Sequence, residues 1–241
     1  MVDALGSATG IGILGAAAVL GVTHALEPDH AAGISALTSE TDRWTHAAFV
    51  GGSFAVGHVA VVVAWVAVLG LLGAAASSVP GAVDELGTLV AGGILLVVAA
   101  VLAATGAHRL RAGGDDEQDA DGERGIAGRL LARAQAHLHS HEHETRADYL
   151  RTGVVGSLFA LSPPVSMLAL VSAVLPSAGL STTAASVGVY AVAITATMSL
   201  VGTGLGSAFA AARRRSRRTH AALELCASGA VFAFAVQILV V

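Results

Sequence analysis

The hydrophobic positions of this 241-residue chain are gathered into long blocks, separated by short polar stretches and one long polar stretch. Apolar and polar residues do not alternate within the blocks, which excludes a membrane β-barrel. A block of about 18 apolar residues can cross the hydrocarbon core as a helix, because a helix satisfies its own backbone hydrogen bonds. Six candidate blocks lie at residues 9–37, 45–75, 86–107, 152–175, 182–211 and 221–241. The pattern therefore predicts an all-α integral membrane protein with six transmembrane helices.

The composition agrees with this pattern. Hydrophobic residues make up 54% of the chain and charged residues 12%, which is about half the charged fraction of a soluble domain. The single cysteine, Cys226, excludes an internal disulfide framework and a cysteine-rich zinc or iron–sulfur site. No phosphate-cradling motif is present. We expect no enzymatic activity, no bound cofactor and no nucleic-acid partner.

The charges are distributed asymmetrically along the chain. All 13 basic residues are arginines, and they lie in the loops after the first, third and fifth blocks. In a six-span arrangement these loops share one side of the membrane, and cytoplasmic loops carry the excess of arginine and lysine. We therefore predict a multi-pass protein of the cell membrane, with these loops in the cytoplasm and both termini outside. The arginines at 213–218 would contact anionic lipid of the bilayer, and Glu224 is expected to pair with them.

The long polar stretch, residues 108–151, divides the chain into two halves, 1–107 and 152–241. It lacks sustained apolar periodicity, so we predict a disordered cytoplasmic loop. Each half holds three blocks, an odd number, so the second half would be inserted upside down. Prolines interrupt the first block of each half, at Pro28 and at 163–164. Broken helices at corresponding positions are typical of transporters with inverted repeats, so two inverted three-helix repeats are one hypothesis.

The most informative polar segment is His-Ala-Leu-Glu-Pro-Asp-His at 24–30, directly after an apolar run. Ionisable groups at membrane depth are costly and usually face a protein interior or a water-filled path. An ideal helix places His24, Glu27 and His30 on one broad face, and the proline among them introduces a kink that can bring Asp29 toward it. Imidazole nitrogens with one or two carboxylate oxygens suit nickel, cobalt, zinc or iron. A re-entrant loop whose charges reach the headgroups is the alternative.

His58 lies in the second block, within an otherwise uncharged stretch. A lone intramembrane histidine is often a hydrogen-bonded structural group, and this alternative stays open. The second span enters from the cytoplasm, so His58 lies about 15–20 Å deep at 1.5 Å per residue, near the depth expected for His30. Neighbouring glycines permit a close approach of the two helices. The predicted metal site comprises His24, Asp29, His30 and His58, with Glu27 beside them.

The polar loop carries a second candidate for metal binding. Four alternating histidines lie there, at His137, His139, His141 and His143. Histidines in a flexible segment offer a labile site for borderline metals, although a merely solvated low-complexity stretch is the alternative. A cytoplasmic loop of this kind could collect surplus ions beside a pore, which favours efflux slightly over uptake.

Two of these motifs carry a family resemblance. The segment 24–30 resembles the His-x-x-x-x-Asp-His signature of the nickel/cobalt transporter superfamily. The Gly-His pair within 54–59 is similar to the second motif of that superfamily. The resemblance covers mainly the first 65 residues, and it implies that the residues needed for metal transport are His24, Asp29, His30 and His58.

The chain also departs from the eight-helix importers of this superfamily. Thr23 stands where those importers usually have arginine, and Val59 stands where they have serine. Glu27 and Pro28 replace their common aspartate and alanine. The Leu-Ser-Pro-Pro stretch at 161–164 looks more like the six-helix branch, which contains efflux proteins and urease-accessory relatives. The direction of transport therefore stays open.

The expected function is transmembrane transport of a divalent transition metal ion, nickel or cobalt, with a slight preference for efflux. Uptake could run on the membrane potential, whereas efflux opposes that potential and would need coupling, for example to protons. The alternatives are a nickel uptake permease and a non-transporting, metal-binding membrane partner for urease or hydrogenase assembly. The oligomeric state does not follow from the sequence.

Overall fold

The structure, a computed structural model, describes residues 2–71, 81–112, 146–158 and 165–240. Every element in these ranges is a helix, so the predicted all-α class is confirmed there. The helices are α1 (Val2–Ala25), α2 (Pro28–Thr38), α3 (Trp44–Leu71), α4 (Gly81–Ala112), α5 (Arg146–Leu158), α6 (Val165–Arg215) and α7 (Arg217–Val240). The four histidines at 137–143 lie outside the described residues.

Several of the described helices are able to cross a membrane. Helices α3, α4, α6 and α7 are long and apolar enough to do so, and α1 with α2 makes a fifth span if this bent pair counts as one. Large apolar side chains point outward on these helices, among them Val19, Phe49, Val97 and Leu200. A soluble monomer rarely exposes so much apolar surface, whereas lipid would cover it. The six-span prediction is therefore confirmed only as four or five spans among the described residues.

The region predicted to form the fourth and fifth spans differs from the expectation. Part of the predicted fourth span, residues 159–164, lies outside the described residues. The rest of that span and the fifth span fall within α5 and α6. Helix α6 has 51 residues and leaves helical geometry only at Gly179, where φ is 78° and ψ is 175°. This backbone conformation favours glycine, so a single residue separates two helical segments where the sequence suggested a longer break.

The helices pack in a pattern that depends on small residues. Helix α4 packs against α7, α3 packs against both α5 and α6, and α1 packs against α6. At the α3–α5 contact, a Cβ atom added at Gly57 would lie 1.7 Å from the carbonyl oxygen of Gly153. One added at Gly156 would lie 2.0 Å from the carbonyl oxygen of Phe54. Only glycine permits this approach of the two backbones, and it occurs next to His58.

Candidate metal centre

The site begins at the break between α1 and α2. Pro28 occupies the first turn of α2, where its missing N–H group costs no hydrogen bond. The chain turns there, with the Glu27 amide donating to the His24 carbonyl at 3.1 Å, and the two helix axes differ by 56°. The expected proline kink is thus a full break between two helices. It places His24 in the last turn of α1 and His30 in the first turn of α2.

Three imidazoles from three helices converge at this break. His24 belongs to α1, His30 to α2 and His58 to α3, and their ring centroids lie 4.7 to 5.2 Å apart. The Nε2 atoms of His24 and His58 are 3.1 Å apart. Each residue offers a donor nitrogen, and the three nitrogens lie within 4.8 Å of one another. We call these three residues the imidazole cluster.

The separation of two of the three imidazole nitrogens matches that of two ligands of one metal ion. Two nitrogens that bind one ion at 2.0–2.1 Å lie about 2.9–3.4 Å apart for angles between octahedral and tetrahedral values. The 3.1 Å separation of the His24 and His58 nitrogens falls within this range, although a hydrogen bond between neutral rings has the same length. His30 favours a metal site over a simple hydrogen bond between rings. Its ring is buried, and neither ring nitrogen has a hydrogen-bond partner among the described residues. Buried polar groups are normally bonded, so this ring has unused donor capacity.

Glu27 orients one ring of the cluster. Its Oε1 atom lies 3.0 Å from Nδ1 of His24. With a proton on Nδ1, the imidazole donates to this carboxylate, which leaves the lone pair of Nε2 directed into the cluster. A carboxylate behind a histidine fixes the tautomer and raises the basicity of the ligand nitrogen in metal sites. The position of Glu27 is therefore that of a supporting residue as well as a candidate ligand.

Asp29 borders the imidazole cluster without joining it. Its Oδ1 atom lies 3.3 Å from Nδ1 of His30, and it groups with Glu27 and His30 as a separate set of donors within 4.8 Å. The structure thus brings together the three membrane histidines of the predicted site. It places the carboxylate of Glu27 beside His24 and that of Asp29 beside His30.

Tyr190 is a neighbour of the site that the sequence did not indicate. Its buried ring stacks on His24, with the ring centroids 6.0 Å apart and the planes inclined by 28°. Helix α1 approaches this part of α6 closely, because a Cβ atom added at Gly21 would lie 2.7 Å from the Tyr190 carbonyl oxygen. A tyrosine within an apolar block gives no signal of its own. Its place depends on the rotation of α6 about its axis, which the sequence leaves open.

A second polar group joins the ends of four helices. Arg109 of α4 pairs with the carboxylates of Glu40 and Glu224, and its Nε lies 3.1 Å from Oε2 of the buried Glu224. Arg213 of α6 donates to the carbonyl oxygens of residues 39 and 41 and pairs with Asp42 at 2.9 Å. The expectation that Glu224 pairs with an arginine of 213–218 is corrected, since Arg109 is its partner.

This second group also holds three potential metal donors, in Glu40, His220 and Glu224. The guanidinium of Arg109 already contacts both carboxylates and neutralises part of their charge. A cation would have to displace this guanidinium. We therefore interpret the group as an ion-pair network that holds the α2–α3 turn, α4, α6 and α7 together, and we call it the Arg109 network.

Comparison with known proteins gives no match. No family model matches the chain, and searches of curated proteins and of solved structures find no match.

Proposed function

We propose that this protein transports divalent transition metal ions, nickel or cobalt, across the cell membrane. The observation that carries the proposal is the convergence of three imidazoles from three helices at a buried point between apolar helices. Ionisable groups in such a position mark ion pathways more often than structural contacts. Three nitrogen donors with adjacent carboxylates match the ligand preference of these borderline metals.

A six-span arrangement gives this site a path across the membrane. In our proposal α1 and α2 form one broken span, and α5 with the first segment of α6 forms another. Arg109 at the end of α4 and Arg213 at the end of α6 both contact the turn at 39–42. The chain between these two arginines therefore leaves one end of the molecule and returns to it, which requires an even number of crossings. Two crossings at 146–215 satisfy this requirement and favour six spans over five.

The packing of the helices also supports two inverted repeats. If α1 with α2 corresponds to α5 with the first segment of α6, then α3 corresponds to the second segment and α4 to α7. The contact of α1 with α6 then has its counterpart in the contact of α5 with α3, and both are present. The α3–α6 contact joins two corresponding helices, and so does the α4–α7 contact, so the proposed symmetry leaves both contacts unchanged. In transporters with such repeats the substrate site lies at the interface between them. Here the three imidazoles belong to the first repeat, and Tyr190 of the second repeat stacks on His24.

We favour export over uptake, with the arginine-rich end in the cytoplasm. A divalent ion gains about 4–5 kcal/mol per 100 mV on moving inward. Export must work against this free energy and therefore needs coupling to another ion. Histidines allow coupling to protons, because they bind metal only when neutral. Exchange of the ion for protons at the imidazole cluster would supply the coupling.

Elemental analysis of cells tests the proposal. Cells that express the native chain in medium containing nickel or cobalt should hold less of that metal than cells expressing His24→Ala. His46→Ala, which changes a histidine outside the imidazole cluster, serves as the control and should behave as the native chain. More metal with the native chain would establish uptake in place of export. Equal nickel and cobalt in all strains, at equal protein levels, would contradict transport and favour a non-transporting partner.

A further inference from the structure

The donors around the break fall into two groups that share one residue. The imidazole cluster contains His24, His30 and His58, and a second group contains Glu27, Asp29 and His30. In the second group, Nδ1 of His30 lies 3.3 Å from Oδ1 of Asp29. His30 therefore lies at the boundary between a nitrogen-only group and a group rich in oxygen donors.

The two groups differ in their access to the surface. The side chain of Glu27 is 50% exposed, that of Asp29 is 18% exposed and that of His30 is 1% exposed. In the proposed transport path, an ion that approaches from the side of Glu27 meets the carboxylates first and the buried imidazoles last. Carboxylate oxygens bind ions that keep several waters, whereas imidazole nitrogens favour transition metals. The order of the donors thus matches stepwise loss of water.

The unpartnered groups at the boundary indicate a ligand. Apart from the 3.3 Å ion-pair contact between Nδ1 of His30 and Oδ1 of Asp29, these two atoms and Nε2 of the buried His30 make no hydrogen bond among the described residues. Such groups are normally satisfied. The described ion pairs of Glu27 and Asp29 are with histidines alone, in contrast to the carboxylates that Arg109 neutralises. Negative charge therefore remains at this group for a cation to neutralise.

We propose that Glu27, Asp29 and His30 form an entry site, distinct from the imidazole cluster, which binds a partly hydrated divalent transition metal ion and passes it through His30 to the cluster. This inference rests on the proposed transport function. Because His30 is common to both sites, one ion occupies either the entry site or the cluster. The entry site selects for charge, and the imidazole cluster selects for ions that accept nitrogen ligands.

Cobalt binding to the purified full-length chain tests the entry site, since the visible absorption of Co²⁺ is weak in six-coordinate oxygen sites and stronger in low-coordinate nitrogen sites. The four loop histidines are replaced by asparagine in every sample, which removes their contribution. His58→Ala, or the similarly sized His58→Leu, should still bind one Co²⁺ and give the weak, oxygen-type spectrum. Glu27→Gln alone should give the nitrogen-type spectrum. Added to His58→Leu, it should weaken Co²⁺ binding about tenfold relative to His58→Leu alone, because the entry site loses a charged ligand.

The glutamine variant separates the two roles of Glu27. Its amide oxygen can still accept from Nδ1 of His24, while the negative charge is lost. Glu85→Gln, which neutralises an exposed carboxylate on α4, is the matched control and should bind as the parent does.

Two results would overturn the entry site and leave the transport proposal standing. One is loss of all Co²⁺ binding in both His58 variants when they remain folded, which would show a single site. The other is equal affinity in His58→Leu with and without Glu27→Gln, which would show that Glu27 only orients His24. Absence of Co²⁺ binding by the parent chain would overturn the proposed function together with the entry site.

Discussion

At the scale of single residues, the site is a place where local stability is low. A buried polar group without a hydrogen-bond partner costs about 1–3 kcal/mol, and both nitrogens of His30 lack one among the described residues. The ring also contacts two other imidazoles and Phe54. An apolar side chain would fit these surroundings better in the absence of metal. Such a violation of packing rules is expected at functional sites.

Replacing His30 by leucine should therefore stabilise the metal-free protein. The comparison is made in chains that carry Asp29→Asn, so that no buried carboxylate loses its 3.3 Å contact with Nδ1 of His30. The volumes are similar and the unsatisfied nitrogens disappear, so the free energy of unfolding should rise by about 1 kcal/mol. Nickel should raise the unfolding temperature of the native chain, because it binds only the folded state, and this shift should be lost in His30→Leu. Thermal unfolding in detergent, with and without nickel, measures both effects.

His46→Leu is the control for this comparison, since His46 is half-buried and lies outside the imidazole cluster. It should keep the nickel-dependent shift. If His30→Leu is less stable than its parent chain without metal and keeps the nickel-dependent shift, His30 neither destabilises the metal-free protein nor binds nickel.

The residues of the imidazole cluster could be predicted from their position in the apolar blocks and from their expected depth in the membrane. His24, His30 and His58 lie next to or within apolar blocks, where burying an ionisable group costs free energy and usually indicates a function. The rise per residue of the helices brings the three histidines to a similar depth. The separation of Asp29 from the three histidines could not be predicted. It depends on a complete break at Pro28, whereas a kink within one helix would have placed Asp29 differently.

At the scale of helices, the contact of α3 with α5 fixes the position of His58. At Gly57 the backbone of α3 approaches Gly153 of α5 so closely that no side chain fits at position 57. His58 is the next residue on α3, so any separation of the helices there moves its ring. The Phe54–Gly156 contact extends the same close approach by about one helical turn.

Substituting alanine for Gly57 should disrupt both packing and metal binding. The added Cβ would lie 1.7 Å from the Gly153 carbonyl oxygen, so α3 and α5 must move apart, at a cost of about 1–3 kcal/mol. Thermal unfolding and Co²⁺ titration of the purified variant would report the two losses. Gly204→Ala is the matched control, because nothing lies within 4 Å of its added Cβ. Equal stability and equal affinity in the two variants would contradict the role of this contact.

The helices themselves were predictable to different degrees. Apolar length indicated α3, α4 and α7, because a long uncharged run has few alternatives to a helix in lipid. The division around α5 and α6 was less predictable. Pro176 lies inside α6, yet the backbone leaves helical geometry three residues later at Gly179. The position of such a break depends on tertiary packing as well as on residue type.

At the scale of the whole molecule, α2 connects two polar groups with different roles. Its first turn contributes His30 to the imidazole cluster, and the turn after its last residue is held by Arg109 and Arg213. The positive-inside pattern predicts the side of the membrane for this end, and the Arg109 network is consistent with three arginine-bearing loops meeting there. The partner of Glu224 was not predictable, because two separate arginine clusters lie within reach in the sequence.

Transport by the purified chain tests whether metal ions cross the membrane through the imidazole cluster. The protein is reconstituted into vesicles that enclose a metal-sensitive dye, and nickel or cobalt is added outside. The native chain and the control His46→Ala should produce an inward flux well above that of protein-free vesicles, and His58→Ala should reduce it at least about tenfold. Flux that equals protein-free vesicles for both metals, or that is the same in His58→Ala and the native chain, would contradict transport through the imidazole cluster.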